Sequence, residues 1–338
     1  MKRAVLPFLF LVVVGCGETG TADDDGPPPL TGDLYSLKYG PIIVPPGMED
    51  TQCVNLRLSN TAAIKVHQMR NLLSSGSHHL IIYKNDDPET VETTTPVGCT
   101  PFAGALNLKG LAAPVMITQR AEDALTLPEG VAYTFAPNQM IRIEMHFINS
   151  TDAPLEVSAT SEFYAVPDSE IDHEANILFI GTPDINIPAG ATMDIQRYFT
   201  PSRAQLDLSG ARFFAITGHT HHHGLNVTVS TSTSTGGART SVYAPTPFEW
   251  SEPETTVHRP EFTMPTGLQS GFDIKCSYKN TSNQTVSFGE SANDEMCFFW
   301  AYYYPSKGSH VCVRTEQLGG IDICCPEAGD LCNMLSPP

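Results

Sequence analysis

Short apolar runs, many alternating with polar residues, recur along the chain and are cut by turn residues. In the first half they lie at 53–58, 79–83, 131–135 and 140–147, separated by Pro45-Pro46-Gly47, Asn85-Asp86-Asp87-Pro88 and Pro128-Glu129-Gly130. A second set lies at 177–180, 213–217, 225–230, 271–278 and 297–304, with a Ser/Thr/Gly loop at 231–237. Successive side chains of a strand point to opposite faces, so alternation marks a half-buried strand, and Gly, Pro, Asn and Asp supply the turns. No amphipathic helix of convincing length is visible. Many short strands at this spacing predict an all-β protein, with β-sandwich domains over 33–167 and 168–310. In the run at 140–147, Ile141, Ile143, Met145 and Phe147 share one face, and Arg142, Glu144 and His146 the other. The apolar face seeks the core. His146 is then left for solvent, an interdomain cleft or a metal.

Length and charge narrow the context. At 338 residues the chain fits two domains of roughly 100–200 residues each. A net charge of -18 argues against nucleic-acid binding and against electrostatic attachment to an anionic membrane. Lys2 and Arg3 precede an apolar run at 4–14, shorter than the roughly 20 residues that span a bilayer. It has the form of a secretory signal over 1–15. Val13-Val14-Gly15-Cys16 resembles a bacterial lipobox. That resemblance implies lipidation of Cys16 and an extracytoplasmic lipoprotein anchored to the cell envelope, at the outer membrane, touching membrane through its lipid alone. Residues 16–32, rich in Gly, Thr, Asp and Pro, read as a disordered tether. Nine cysteines less a lipidated Cys16 leave eight, an even set that favours disulfides in an exported chain. Cys312, Cys324, Cys325 and Cys332 predict two staples in a cysteine-rich tail, 311–338, of open connectivity.

The candidate chemistry is histidine-centred. In His219-Thr220-His221-His222-His223, residues two apart share a strand side, so His219 and His221 can turn to one metal. A lone His-x-His is more often a surface loop. His78-His79 opens the run at 80–83, and adjacent residues on a regular strand diverge. Both reach one metal only if the strand starts irregularly, which Gly76 permits. Met296 begins the apolar run at 297–304, where a methionine usually fills core. A thioether beside imidazoles is a soft donor set, which selects copper over zinc. A zinc-dependent hydrolase with a three-histidine site is a weaker reading, since no His-Glu-x-x-His is present. No Gly-x-Ser-x-Gly elbow, P-loop or Gly-x-Gly-x-x-Gly occurs.

Taken in order, these residues resemble the copper type II, ascorbate-dependent monooxygenases, a family that includes peptidylglycine α-hydroxylating monooxygenase and dopamine β-monooxygenase. The resemblance runs from about residue 50 to Tyr304. It is carried by Asp50-Thr51-Gln52-Cys53 with Arg57-Leu58, Ser77-His78-His79-Leu80, Leu127-Pro128-Glu129-Gly130-Val131 and Met145-His146-Phe147. It continues in His219-Thr220-His221-His222 and in Asp294-Glu295-Met296-Cys297 with Tyr303-Tyr304. The family fold implies two tandem antiparallel sandwiches of jelly-roll type, one copper in each. His78, His79 and His146 would hold an electron-transfer copper, and His219, His221 and Met296 an oxygen-binding one. His222 and His223 would not be ligands. Disulfides Cys53–Cys99 and Cys276–Cys297 are implied. The implied activity is hydroxylation of a C–H bond of a small organic or peptide-like substrate, with O₂ and ascorbate or an equivalent one-electron reductant.

Three positions depart from the peptide-amidating branch. Thr217 stands where that branch has an Arg gripping the substrate carboxylate, Trp300 where it has a Tyr, and Glu144 where it has a Gln. An apolar or aromatic substrate is therefore expected, with Phe298-Phe299-Trp300 as an aromatic site wall. The alternative is a copper-binding or copper-sequestering lipoprotein without turnover.

Overall fold

Each of these runs forms a strand. The structure is a computed structural model that describes residues 29–101, 112–289, 291 and 293–325. The signal at 1–15, Cys16, most of the tether and Cys332 lie outside the described residues. Among the described residues there is no α-helix, and none long and apolar enough to cross a membrane.

The first half is a sandwich of two sheets. One runs Asp33–Val44, Leu155–Val166, Ile64–Leu73, Val131–Phe135, His173–Glu174, with Glu122–Thr126 also on Ile64–Leu73. The other runs Thr93–Gly98, Glu49–Arg57, Met140–Ile148, Ser77–Asn85, Ala112–Thr118. The second half pairs a six-stranded sheet with a four-stranded one. The larger runs Thr256–Thr263, Arg212–His219, Cys297–Tyr304, Asn176–Thr182, His310–Thr315, Ile321–Cys325. The smaller runs Thr192–Phe199, Gly271–Lys279, Gly224–Ser232, Arg239–Tyr243. The described part of the cysteine-rich stretch thus enters a sheet. Cys312 and Cys324 face each other across its edge pair and are bonded, and Cys325 is also disulfide-bonded.

The six-stranded sheet is buried on both sides, which explains the unbroken apolar run at 297–304. Leu178, Ile180, Phe213, Phe299, Ala301 and Tyr303 pack into the second half's own core. Ile177, Phe179, Phe214, Trp300, Tyr302 and Tyr304 belong instead to a cluster continuous with Val115, Leu127 and Tyr133 of the first half. The Tyr302 hydroxyl accepts the Ile117 N–H at 3.1 Å across this joint. The two halves therefore dock through the outer face of that sheet.

Two further features position the site. Cys276–Cys297 bridges the two sheets of the second half and fixes the strand start next to Met296, and Cys53–Cys99 ties Glu49–Arg57 to the end of Thr93–Gly98. Gly218, beside His219, lies so close to the facing sheet that a Cβ there would stand 2.6 Å from Val227 Cγ1 and Tyr243 Cε1.

Candidate metal centres

The first cluster forms in the middle of one sheet. His79 lies directly opposite His146 on the neighbouring strand, and the register shifts between Ser77 and His79. His78 is the extra residue of this irregularity, and a bulge re-aims a side chain that a regular strand would turn away. Gly76, at φ 85°, makes the preceding turn. The ring centroids stand 5.5 Å apart for His78 and His79, 5.1 Å for His78 and His146, and 4.9 Å for His79 and His146. One nitrogen from each lies within 4.8 Å of the others. Nδ1 of His78 is 3.3 Å from Nδ1 of His79. Two imidazole nitrogens about 2.0–2.1 Å from a tetrahedral metal would be separated by about that much, so the pair fits a shared ion.

His146 Nε2–H donates to Glu49 Oε1 at 3.0 Å, which leaves Nδ1 as the lone-pair nitrogen. Burial holds all three rings neutral, the form that binds metal. Desolvation, then the neighbouring His146, brings His78 down to about 4. Burial pushes His79 well below its usual value, and lowers His146 against the opposing pull of Glu49. Glu49→Ala is expected to weaken the affinity of this cluster for a metal ion by about 10–100-fold, the usual effect of removing a carboxylate behind a ligating imidazole. Competition titration with a metal chelator checks it, and any metal held by His219 and His221 should be unaffected.

The second cluster sits where two strands of the second half end together. The ladder pairs His219 with Phe298. Met296, just before the strand that starts at Cys297, is buried, and its carbonyl accepts the Tyr278 hydroxyl at 2.6 Å. The His219 and His221 rings are 5.1 Å apart and nearly perpendicular, at 87°. Glu295 holds the turn: it is fully buried, and its carboxylate accepts the His221 N–H at 2.9 Å and the His223 N–H at 2.7 Å. Burial raises its carboxyl to about 7, while the backbone N–H groups of His221, His223 and Met296 hold it down.

Both imidazoles have their Nδ1 occupied. His221 Nδ1–H donates to the Asp294 carbonyl at 3.2 Å, and His219 Nδ1 meets the Gln119 amide at 3.1 Å. Nε2 of His219 is buried and has no hydrogen-bond partner. A buried lone pair without a partner is costly unless something coordinates it, and a thioether and two imidazoles are donors suited to copper. Desolvation takes His219 well below its usual range and His221 to about 4.

The clusters face one another across the joint. Charge on His219 or His221 would further depress His79, and Trp250 of the second half lies 5.9 Å from the His78 ring and 6.2 Å from that of His222. His222 is exposed and its ring lies 3.7 Å from that of His223, tilted at 42°, while His223 is buried. The aromatic wall needs one correction. Phe299 is turned into the second half's core, because its parity opposes that of the site. Phe298 and Trp300 share the His219 side, with Trp300 6.0 Å from the His219 ring. Thr217 is buried, and its hydroxyl bonds that of Thr255 at 2.8 Å.

Sequence reasoning passes over Glu49, Gln119, Trp250 and the role of Glu295. Only Glu295 carries a local signal, an acid at the head of an apolar strand.

The two sandwiches thus carry facing histidine clusters, and the one formed by His78, His79 and His146 could hold a metal ion. Residues 173–319 match the family described as copper type II ascorbate-dependent monooxygenase, C-terminal domain. The matched stretch includes His219, His221 and Met296. Comparison with curated proteins returns no match. Among solved structures, the major capsid protein P2 of bacteriophage PM2 is 10% identical with a TM-score of 0.31, over 82% of this chain and 100% of that chain. The PBSX exported protein XepA is 11% identical with a TM-score of 0.20, over 79% of this chain and 86% of that chain. Likenesses this low carry no argument about function.

Proposed function

We propose that the chain is a copper-dependent monooxygenase that binds two coppers and hydroxylates a C–H bond of a small apolar or aromatic substrate, with O₂ and an ascorbate-type reductant. The observation that carries this reading is the pair of facing clusters, in which His146, His219 and His221 each have one ring nitrogen held, by Glu49, Gln119 and the Asp294 carbonyl respectively. In this reading His78, His79 and His146 hold one copper and His219, His221 and Met296 the other. Copper, when bound, supplies the one-electron transfers and the activation of O₂.

The protein's own groups orient and shield. Glu295 fixes the backbone that aims His221, and Cys276–Cys297 anchors the Met296 strand to the facing sheet. Trp300 and Trp250 border the histidines with apolar surface. Thr217, engaged by Thr255, offers no cation for a substrate carboxylate, which supports an uncharged substrate over a C-terminal glycine. Lipidation at Cys16 and a place on the cell envelope complete the proposal, and incorporation of labelled fatty acid that a Cys16→Ser variant loses would check them.

Metal analysis should find about two coppers per chain, and ascorbate-driven oxygen uptake should depend on substrate. Met296→Ala should abolish that uptake while the first cluster keeps its copper. Binding of no copper would defeat the proposal. The second reading, copper sequestration without turnover, is favoured by the close cover of Trp250 and Trp300 on the histidines. Substrate-dependent oxygen uptake would exclude it.

A further inference from the structure

Outside the two clusters the molecule carries a pocket at the edge of the first sandwich lined by Lys65 and Asp168, a Tyr83–Glu144–Arg142 group, and the close His222–His223 pair. None of these converges on a ligand as clearly as the contact between Gln119 and His219. Gln119 follows the strand Ala112–Thr118 of the first half, and His219 ends a strand of the second. The side chains meet at 3.1 Å, and both residues are buried, Gln119 5% and His219 3% exposed. An amide oxygen placed there accepts Nδ1–H, which fixes the tautomer and leaves Nε2, buried and without a hydrogen-bond partner, as the ring's lone-pair nitrogen. Trp250 makes the converse contact, from the second half onto His78.

We propose that Gln119 is a cross-domain positioning residue: the second metal centre is complete only when the first half is docked and its amide holds the His219 imidazole. The inference rests on the copper reading above and adds to it that this centre is built from both halves. Docking and metal affinity are then linked, because an undocked second half must hold its metal with an unoriented imidazole.

The test uses the full chain and copper alone, titrated against a competing chelator. Gln119→Leu, similar in volume but without an acceptor, should weaken copper at the His219 centre by about 10–100-fold and leave the first cluster unchanged. Gln119→Glu, which restores the acceptor with a charge, should recover most of that affinity and lower the Cu(II)/Cu(I) potential, since a carboxylate makes the imidazole a stronger donor. Tyr302→Phe removes the neighbouring cross-domain hydrogen bond without touching His219, and should leave copper affinity as in the wild type. Unchanged affinity in Gln119→Leu, failure of Gln119→Glu to recover it, or an equal loss in Tyr302→Phe would overturn the proposal. A wild-type chain that takes up no copper would instead overturn the copper reading itself.

Discussion

Replacing Glu295 with alanine is expected to abolish copper uptake at His219 and His221, to lower the melting temperature sharply, and to leave the first cluster loaded. The carboxylate is fully buried and accepts backbone N–H groups of His221, His223 and Met296. Removing it strands those donors away from water at about 1–3 kcal/mol apiece. The turn that aims the imidazoles loses its brace at the same time. Copper analysis should fall from about two per chain to about one, and calorimetry should report the instability. Glu295→Gln keeps the volume but turns an amide NH₂ toward one of the donors, so an intermediate loss is expected. A Glu295→Ala chain with full copper and an unchanged melting temperature would show that the carboxylate does not brace the turn.

The metal-free protein should lose several kcal/mol of stability as pH falls from about 6.5 to about 4. His78 and His221 have folded pKa values of about 4 against 6.5 unfolded, and burial also depresses His79, His146 and His219. In that window the unfolded chain binds protons that the folded chain refuses, so stability rises with pH. At about 1.4 kcal/mol per pKa unit, each of the two numbered histidines contributes on the order of 3 kcal/mol. Glu295 and Asp123, raised to about 7 and about 6, act in the opposite sense. Two carboxyls offset only part of five imidazoles, against a typical total stability of about 5–15 kcal/mol. Copper binds the neutral rings and competes with protons, so loaded protein should resist acid to a lower pH. Denaturant titrations across this range, with and without copper, check both statements. A flat pH profile without metal would contradict the burial of these rings.

The strands are legible in the sequence because half-buried strands alternate and because turn residues bound them. The irregular start at His78 is legible too, since two adjacent histidines after Gly76 cannot share a target on a regular strand. Parity gives no answer in the run at 297–304, where both faces are apolar and both are buried. That is why Phe299 reads as site wall when it belongs to the core. Gln119 and Trp250 have no local signature. Each acts on a residue of the opposite half, Gln119 on a histidine 100 positions away, and only docking creates those contacts. Glu49 is hidden for the same reason, being 97 positions from His146.

The doubly covered sheet bears on how the molecule could be divided. A fragment cut near residue 175 would present Phe214, Trp300, Tyr302 and Tyr304 to water as one oily plate. Such a plate invites self-association, so neither portion should be expected to live alone as a tidy monomer, and the polypeptide should melt as a single cooperative body.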